Sequence, residues 1–300
     1  MTTSPSAVPS NSLQAIGCMV IATLCMACMN AIVRHLSLSL HTFEIVFFRN
    51  FFGILLILPL LVRSGLLHFR TERFGLHAIR AVINVVNMII YMSALAMAPL
   101  ADVVSIGFAA PLFATLLAVI FFGDRPGIRR WTVLAIGLVG MLLILKPGSG
   151  EMNTGHLLAL VASMTWACIL LIVHSLGRTE SSVTTIAYMT VLMTPMSLLP
   201  ALFVWQMPTP IEWAWLVATG VLGAAGQLLL AQALRVGDIS VVMPFDFFRL
   251  LWVALIAYLA FAEVPDALSW LGGTVIFASS VYLVLRERKI RRSKPAEPPV

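Results

Sequence analysis

The chain is a succession of apolar stretches, each about 18–25 residues long, separated by breaks of only a few residues. At 1.5 Å per residue, one stretch covers roughly 30 Å of hydrocarbon. Backbone groups in hydrocarbon have no water to bond and must satisfy one another, so each stretch reads as a membrane-crossing helix. Ten are expected, at about 12–36, 42–63, 74–97, 99–122, 130–146, 155–176, 182–203, 211–234, 238–261 and 267–286. Only 11% of residues are charged against 60% hydrophobic, where a soluble domain carries about 25% charge. The predicted fold class is therefore an all-α integral membrane protein.

The apolar pattern is also written twice. Residues 91–131 set beneath residues 230–270, a shift of 139, match at Ala94, Leu95, Val103, Leu112, Leu116, Ala118, Phe122, Pro126 and Trp131, with Asp124 over Glu263. Such an echo indicates two related halves with a site between them. We place the halves at 12–146 and 155–286, preceded by a disordered N-terminus at 1–11. A basic, Pro-rich cytoplasmic tail follows at 287–300, with disorder expected from Arg286. Met1–Ser12 lacks the basic segment of a cleaved signal peptide, so the first span should be retained. An odd number of spans per half, five, makes the repeat inverted. Of nineteen Lys and Arg residues, fourteen fall on one face of this topology, including Arg63, Arg125, Arg178, Arg235 and six in Arg286–Lys294. The positive-inside rule then sets both termini in the cytoplasm.

Charges inside the spans mark the candidate site. A central Arg or Asp costs about 2.5–3.5 kcal/mol on the insertion scale, so such groups should face protein or water. The ninth span holds Asp246 and Arg249, three apart and able to pair, with Arg249 roughly 16 Å deep. The third span carries Arg80, Asn84, Asn87 and Tyr91 in one helical stripe, suited to a cavity wall or to interhelical hydrogen bonds. Opposite this stripe in the repeat stand Thr219, Gly223 and Gly226, and with Gly220 they suit close helix packing. Arg49, beside Asn50, is either a substrate contact or a clamp on Glu44 or a backbone carbonyl. Trp166 shares a face with Ser163 and His174 and could stack on a planar substrate. Asn30 is a weaker candidate. Proton coupling would fall to Asp246 or Glu44.

Simpler roles suffice elsewhere. Asp102, just after Pro99, should favour the start of the fourth helix, and Asp124, Glu263, Trp131 and Trp270 should anchor span ends. Pro111 and Pro195 should kink their helices. Cys18, Cys25, Cys28 and Cys168 lie within spans, which argues against disulfides, and packing explains Cys25 and Cys28 better than a Cu(I) site with Met19 and Met29. No metal or cofactor is expected. The chain carries no Walker A motif, no His-Glu-x-x-His and no Gly-x-Ser-x-Gly, so neither nucleotide-driven pumping nor these enzyme chemistries is expected. The net charge of +6 reports topology rather than a nucleic-acid partner.

Ala94–Arg125, ALAMAPLADVVSIGFAAPLFATLLAVIFFGDR, resembles the fourth-span signature of the drug/metabolite transporter superfamily, in its ten-span EamA-type branch. The resemblance covers about residues 12–286. Asp124 stands where that family usually has Glu, and Arg249 lies near the repeat counterpart of Pro111. Within the family the chain is similar to members that take up riboflavin or S-adenosylmethionine. The resemblance implies a secondary transporter of a small polar metabolite in the cell inner membrane. Export of amino acids or related metabolites is the alternative, and an intramembrane enzyme or a channel the alternative of another class. Expected partners are a small-molecule substrate and the lipid bilayer, with a homodimer left open.

Overall fold

The computed structural model describes residues 10–64, 71, 73–122, 128–147, 152–176, 180, 182–237 and 239–293. Among them the chain is helical, with no strand: α1 (Ser10–Leu36), α2 (Thr42–Ser64), α3 (Phe74–Met97), α4 (Leu100–Gly107), α5 (Ala110–Phe122), α6 (Ile128–Leu145), α7 (Thr154–Leu176), α8 (Ser182–Leu202), α9 (Pro210–Val236), α10 (Ile239–Val242), α11 (Phe248–Phe261) and α12 (Ala267–Ser293). Seven described stretches are long and apolar enough to cross a membrane, and Trp131–Leu145 and Tyr188–Leu202 are shorter apolar helices. Large apolar side chains such as Ile120, Leu138, Leu199 and Leu259 remain exposed around the bundle, the surface that hydrocarbon would cover.

Two expected helices are broken. The stretch 99–122 divides into α4 and α5 at Phe108 and Ala109, and 238–261 divides at a 3-10 segment, Met243–Phe247. Proline is the physical cause in each case. Pro111 lacks the N–H that would bond Gly107, and Pro244 lacks the one that would bond Ser240. At the first break the chain tightens to three-residue bonds, Phe108 to Ser105 and Ala109 to Ile106. Its loosened carbonyls are bonded from other helices: Ser163 Oγ donates to Ile106 O at 2.8 Å and Ser280 Oγ to Phe108 O at 2.7 Å. Under the shift of 139, Phe108 falls on Phe247, so the two breaks occupy matching positions.

Helix partners obey the same exchange. α1 packs on α9 as α3 packs on α7, and α2 packs on α9 as α3 does on α8. α2 on α8 and α6 on α12 are their own counterparts. Glycine permits the closest of these approaches. A Cβ at Gly220 of α9 would lie 2.4 Å from Phe52 Cβ, and one at Gly140 of α6 would lie 2.9 Å from the Gly272 carbonyl, the small-residue contact expected of membrane helices.

Helix ends bring further corrections. Asp102 stands in the first turn of α4 but makes no capping hydrogen bond there, and the Leu100 N–H bonds Glu263 Oε2 at 3.2 Å. Glu263 also pairs with Arg34, so it ties two helices together rather than serving as a surface anchor. α9 opens with a capping box, Thr209 and Glu212, with Pro210 at its first position, where the missing N–H costs nothing. α12 runs through the basic residues to Ser293 instead of ending near Arg286, because Arg, Glu and Lys are good helix formers and Pro295 is the first breaker. Residues 1–9 and 294–300, the Asp124 loop and the side chain of His174 lie outside the described residues.

Candidate functional site

The two broken helices meet. Arg249, in the first turn of α11, donates from Nη2 to Asp246 Oδ2 at 2.6 Å, and its guanidinium lies 5.0 Å from the centroid of Phe108 at the end of α4. Phe108 and Phe247 both contact Phe277 of α12, at 5.3 and 4.9 Å between ring centres. The ion pair keeps 26% and 15% of its side-chain surface accessible. A charge pair therefore sits at the junction of the halves and remains reachable.

Tyr91 links this junction to the second span. Its hydroxyl accepts from Asn30 Nδ2 at 3.1 Å, and it lies within electrostatic range of both Arg49 and Arg249. Asn30 Oδ1, Arg249 Nε and Trp252 Nε1 are enclosed and have no protein hydrogen-bond partner. Arg49 does not clamp Glu44. It faces Met29 Sδ and Met88 Sδ at 3.4 Å and Asn50 Oδ1 at 3.5 Å. Glu44, wholly buried, instead accepts from the Gln206 N–H at 2.5 Å.

The polar stripe of α3 divides. Arg80 Nη1 donates to the Thr185 carbonyl at 3.1 Å and Asn84 to the Arg80 carbonyl at 3.1 Å. Asn87 Nδ2 reaches both Ala162 O and Thr165 Oγ1 at 2.6 Å. Arg80 and Asn87 thus bond neighbouring helices and Asn84 the backbone of its own, while Tyr91 joins the arginine cluster. Trp166 is 40% exposed, whereas Ser163 on the same helix is buried against α4.

One polar group escaped sequence reasoning. At the end of the bundle where α3 meets α4 and α11 meets α12, a cavity of about 300 Å³ is lined by residues including Asp102, Lys146, Asn153, His156, Glu263 and Asp266. His156 Nε2 lies 3.2 Å from Asp102 Oδ2, and Lys146 pairs with Asp266 at 2.6 Å. Both pairs cross between the halves. Asp266, outside the spans, is nudged up by burial, but bonds from Lys146 and Ser269 win and hold its carboxyl at about 2. The one available signal was that these charges all fall at expected span ends, on one face of the topology expected from the sequence. Among the described residues, no group of three or more His, Cys, Asp or Glu side chains is arranged to hold a metal.

Comparison with known proteins identifies the scaffold. The model of the EamA-like transporter family matches residues 13–146 and again 153–285. The chain is 32% identical over 279 residues to a riboflavin transporter of Vibrio cholerae, covering 91% of this chain and 94% of that protein. It is 29% identical to an S-adenosylmethionine uptake transporter of Rickettsia bellii, over 87% of this chain and 90% of that one. A pseudopaline exporter of Pseudomonas aeruginosa is 28% identical, over 88% and 93%. With its apolar helices and this double match, the chain belongs to the EamA-like transporter family and is a multi-pass transporter of the bacterial inner membrane, not an enzyme.

Proposed function

We propose that this protein is a secondary transporter that takes up a small polar, cofactor-like metabolite of the riboflavin or S-adenosylmethionine type. Its ten spans form two inverted five-helix repeats with both termini in the cytoplasm. α4 with α5, and α10 with α11, each count as one interrupted span. The exchange-related helix partners support the repeat, and the distribution of Lys and Arg supports the orientation.

The observation that carries the site is the meeting of the two breaks at Arg249 and Phe108. Discontinuous helices at a repeat interface supply polar groups at mid-membrane without exposing backbone to lipid. On this reading substrate binds among Arg249, Asp246, Tyr91, Asn30 and Arg49, while Arg80 and Asn87 hold α3 against α8 and α7. Asp246 and Glu44 are the groups through which a proton gradient would act. Relatives named for uptake of riboflavin and S-adenosylmethionine support the substrate class. Export is the second reading, favoured by the relative named as an exporter.

The test is flux of labelled riboflavin and S-adenosylmethionine into liposomes that hold the purified protein. Saturable uptake that loses at least tenfold in rate in Arg249→Ala, at normal folded levels, supports the reading. Outward-only flux overturns uptake, and flux indifferent to both a pH gradient and an uncoupler overturns proton drive.

A further inference from the structure

The guanidinium of Arg49 is poorly matched by the groups around it. A guanidinium offers five N–H donors in a planar fork, yet those of Arg49 meet two thioether sulfurs and, at the limit of a hydrogen bond, one amide oxygen. Thioethers are weak acceptors. Among the described residues no carboxylate pairs with it, since Glu44 turns to the Gln206 backbone and Asp246 to Arg249. The phenol of Tyr91 lies within electrostatic range of Arg49, as it does of Arg249.

The surroundings are built to hold this charge in place. Met29 approaches from α1, Met88 from α3 and Gly223 from α9. A Cβ at Gly223 would sit 3.2 Å from Arg49 Nε and 3.3 Å from Nη2, so glycine leaves room for the head group. Arg49 keeps part of its surface accessible. An unpaired interior cation carries a desolvation penalty of several kcal/mol, which a bound anion would relieve. A carboxylate or phosphate matches the fork in two parallel bonds.

We infer that Arg49 is the receptor for an oxyanion carried by the substrate, and that the transported species bears a carboxylate or phosphate. This rests on the transport reading above and narrows it. Neutral riboflavin lacks the group, whereas its phosphate ester and S-adenosylmethionine carry one. The enclosed Asn30 Oδ1, Arg249 Nε and Trp252 Nε1 remain to bond the rest of the molecule.

The experiment uses pairs that differ in the anion alone, flavin mononucleotide against riboflavin and S-adenosylmethionine against its decarboxylated form. Shifts of the thermal unfolding midpoint of the full-length protein in detergent report binding. The anionic member of at least one pair should raise the midpoint threefold more than its partner. Arg49→Gln should erase the difference, and Arg49→Lys, which keeps the charge without the fork, should retain part of it. Each variant is first compared with wild type for its unliganded midpoint and monodispersity. The inference is overturned if neutral members stabilise equally, if the preference survives Arg49→Gln, or if no anionic member stabilises the protein. Liposome flux separates the two claims: a ligand that binds through Arg49 but never crosses defeats the transport reading alone. A ligand that crosses with no dependence on its anion or on Arg49 defeats this inference alone.

Discussion

The guanidinium of Arg249 stacks over the ring of Phe108 at 5.0 Å, joining the interruption of a helix in one half to the matching interruption in the other. Asp246 bonds the same guanidinium at 2.6 Å. Removing either member of the pair should therefore cost more than removing both. Arg249→Met leaves Asp246 as a lone interior carboxylate, while the double variant Arg249→Met with Asp246→Leu leaves no charge. Thermal unfolding should rank the single variant below the double variant, by about 1–3 kcal/mol. Transport should fail in both.

Asn87 offers the opposite test. Its amide ties α3 to two oxygens of α7 at 2.6 Å, so Asn87→Leu should lower stability by about 0.6–2 kcal/mol. The KM of any transported compound should stay within twofold of wild type, as measured in liposomes. A large rise in KM at unchanged stability would return Asn87 to the substrate site.

Gly220 should tolerate no side chain. A Cβ there would lie 2.4 Å from Phe52 Cβ and 3.0 Å from the Gly53 backbone nitrogen, and neither neighbour is the free end of a flexible side chain. Gly220→Ala should separate α9 from α2 and destabilise by about 1–3 kcal/mol. At Gly75, where an added Cβ meets nothing within 4 Å, the same substitution should leave the unfolding midpoint within about 0.5 kcal/mol of wild type.

The ion pair between Lys146 and Asp266 predicts a specific pH window. Asp266 has a folded pKa of about 2 against an ordinary value of 3.8, so its contribution to stability is fully present above about pH 4. It is lost as pH falls toward about 2. The Asp266 side chain is 43% exposed, and screening limits its effect to under about 1 kcal/mol. Asp266→Asn should thus lower the unfolding midpoint slightly at pH 7 and not at all near pH 2, and high salt should shrink the difference. A gap that widens on acidification would contradict the pairing.

Pairs close in sequence were legible, and pairs distant in sequence were not. Asp246 and Arg249 stand three apart, and one helical turn brings them together whatever else the chain does. Glu44 and Arg49 stand five apart and are an equally natural pair, yet Glu44 is taken by the backbone of Gln206 in the connection between α8 and α9. The carboxylate that caps α4 belongs to Glu263, not to Asp102 two residues inside the helix. Asp102 is drawn instead to His156. Nothing local distinguishes these outcomes, because each depends on which helix packs beside which.

The sequence by itself determined the helical membrane architecture and its doubling, because hydrocarbon thickness sets the length of every apolar run and shared ancestry leaves identities at a constant shift. It also determined that charges within the apolar stretches would be sheltered by protein, since lipid cannot solvate them. Only the tertiary structure decided what shelters each one. Arg80 and Asn87 spend donors holding helices together, Asn84 bonds the backbone of its own helix, Arg249 is balanced by Asp246 and Phe108, and Arg49 is left facing sulfur. A side chain's partner is settled by three-dimensional proximity and by competition among neighbouring acceptors, and both exist only once the helices have packed.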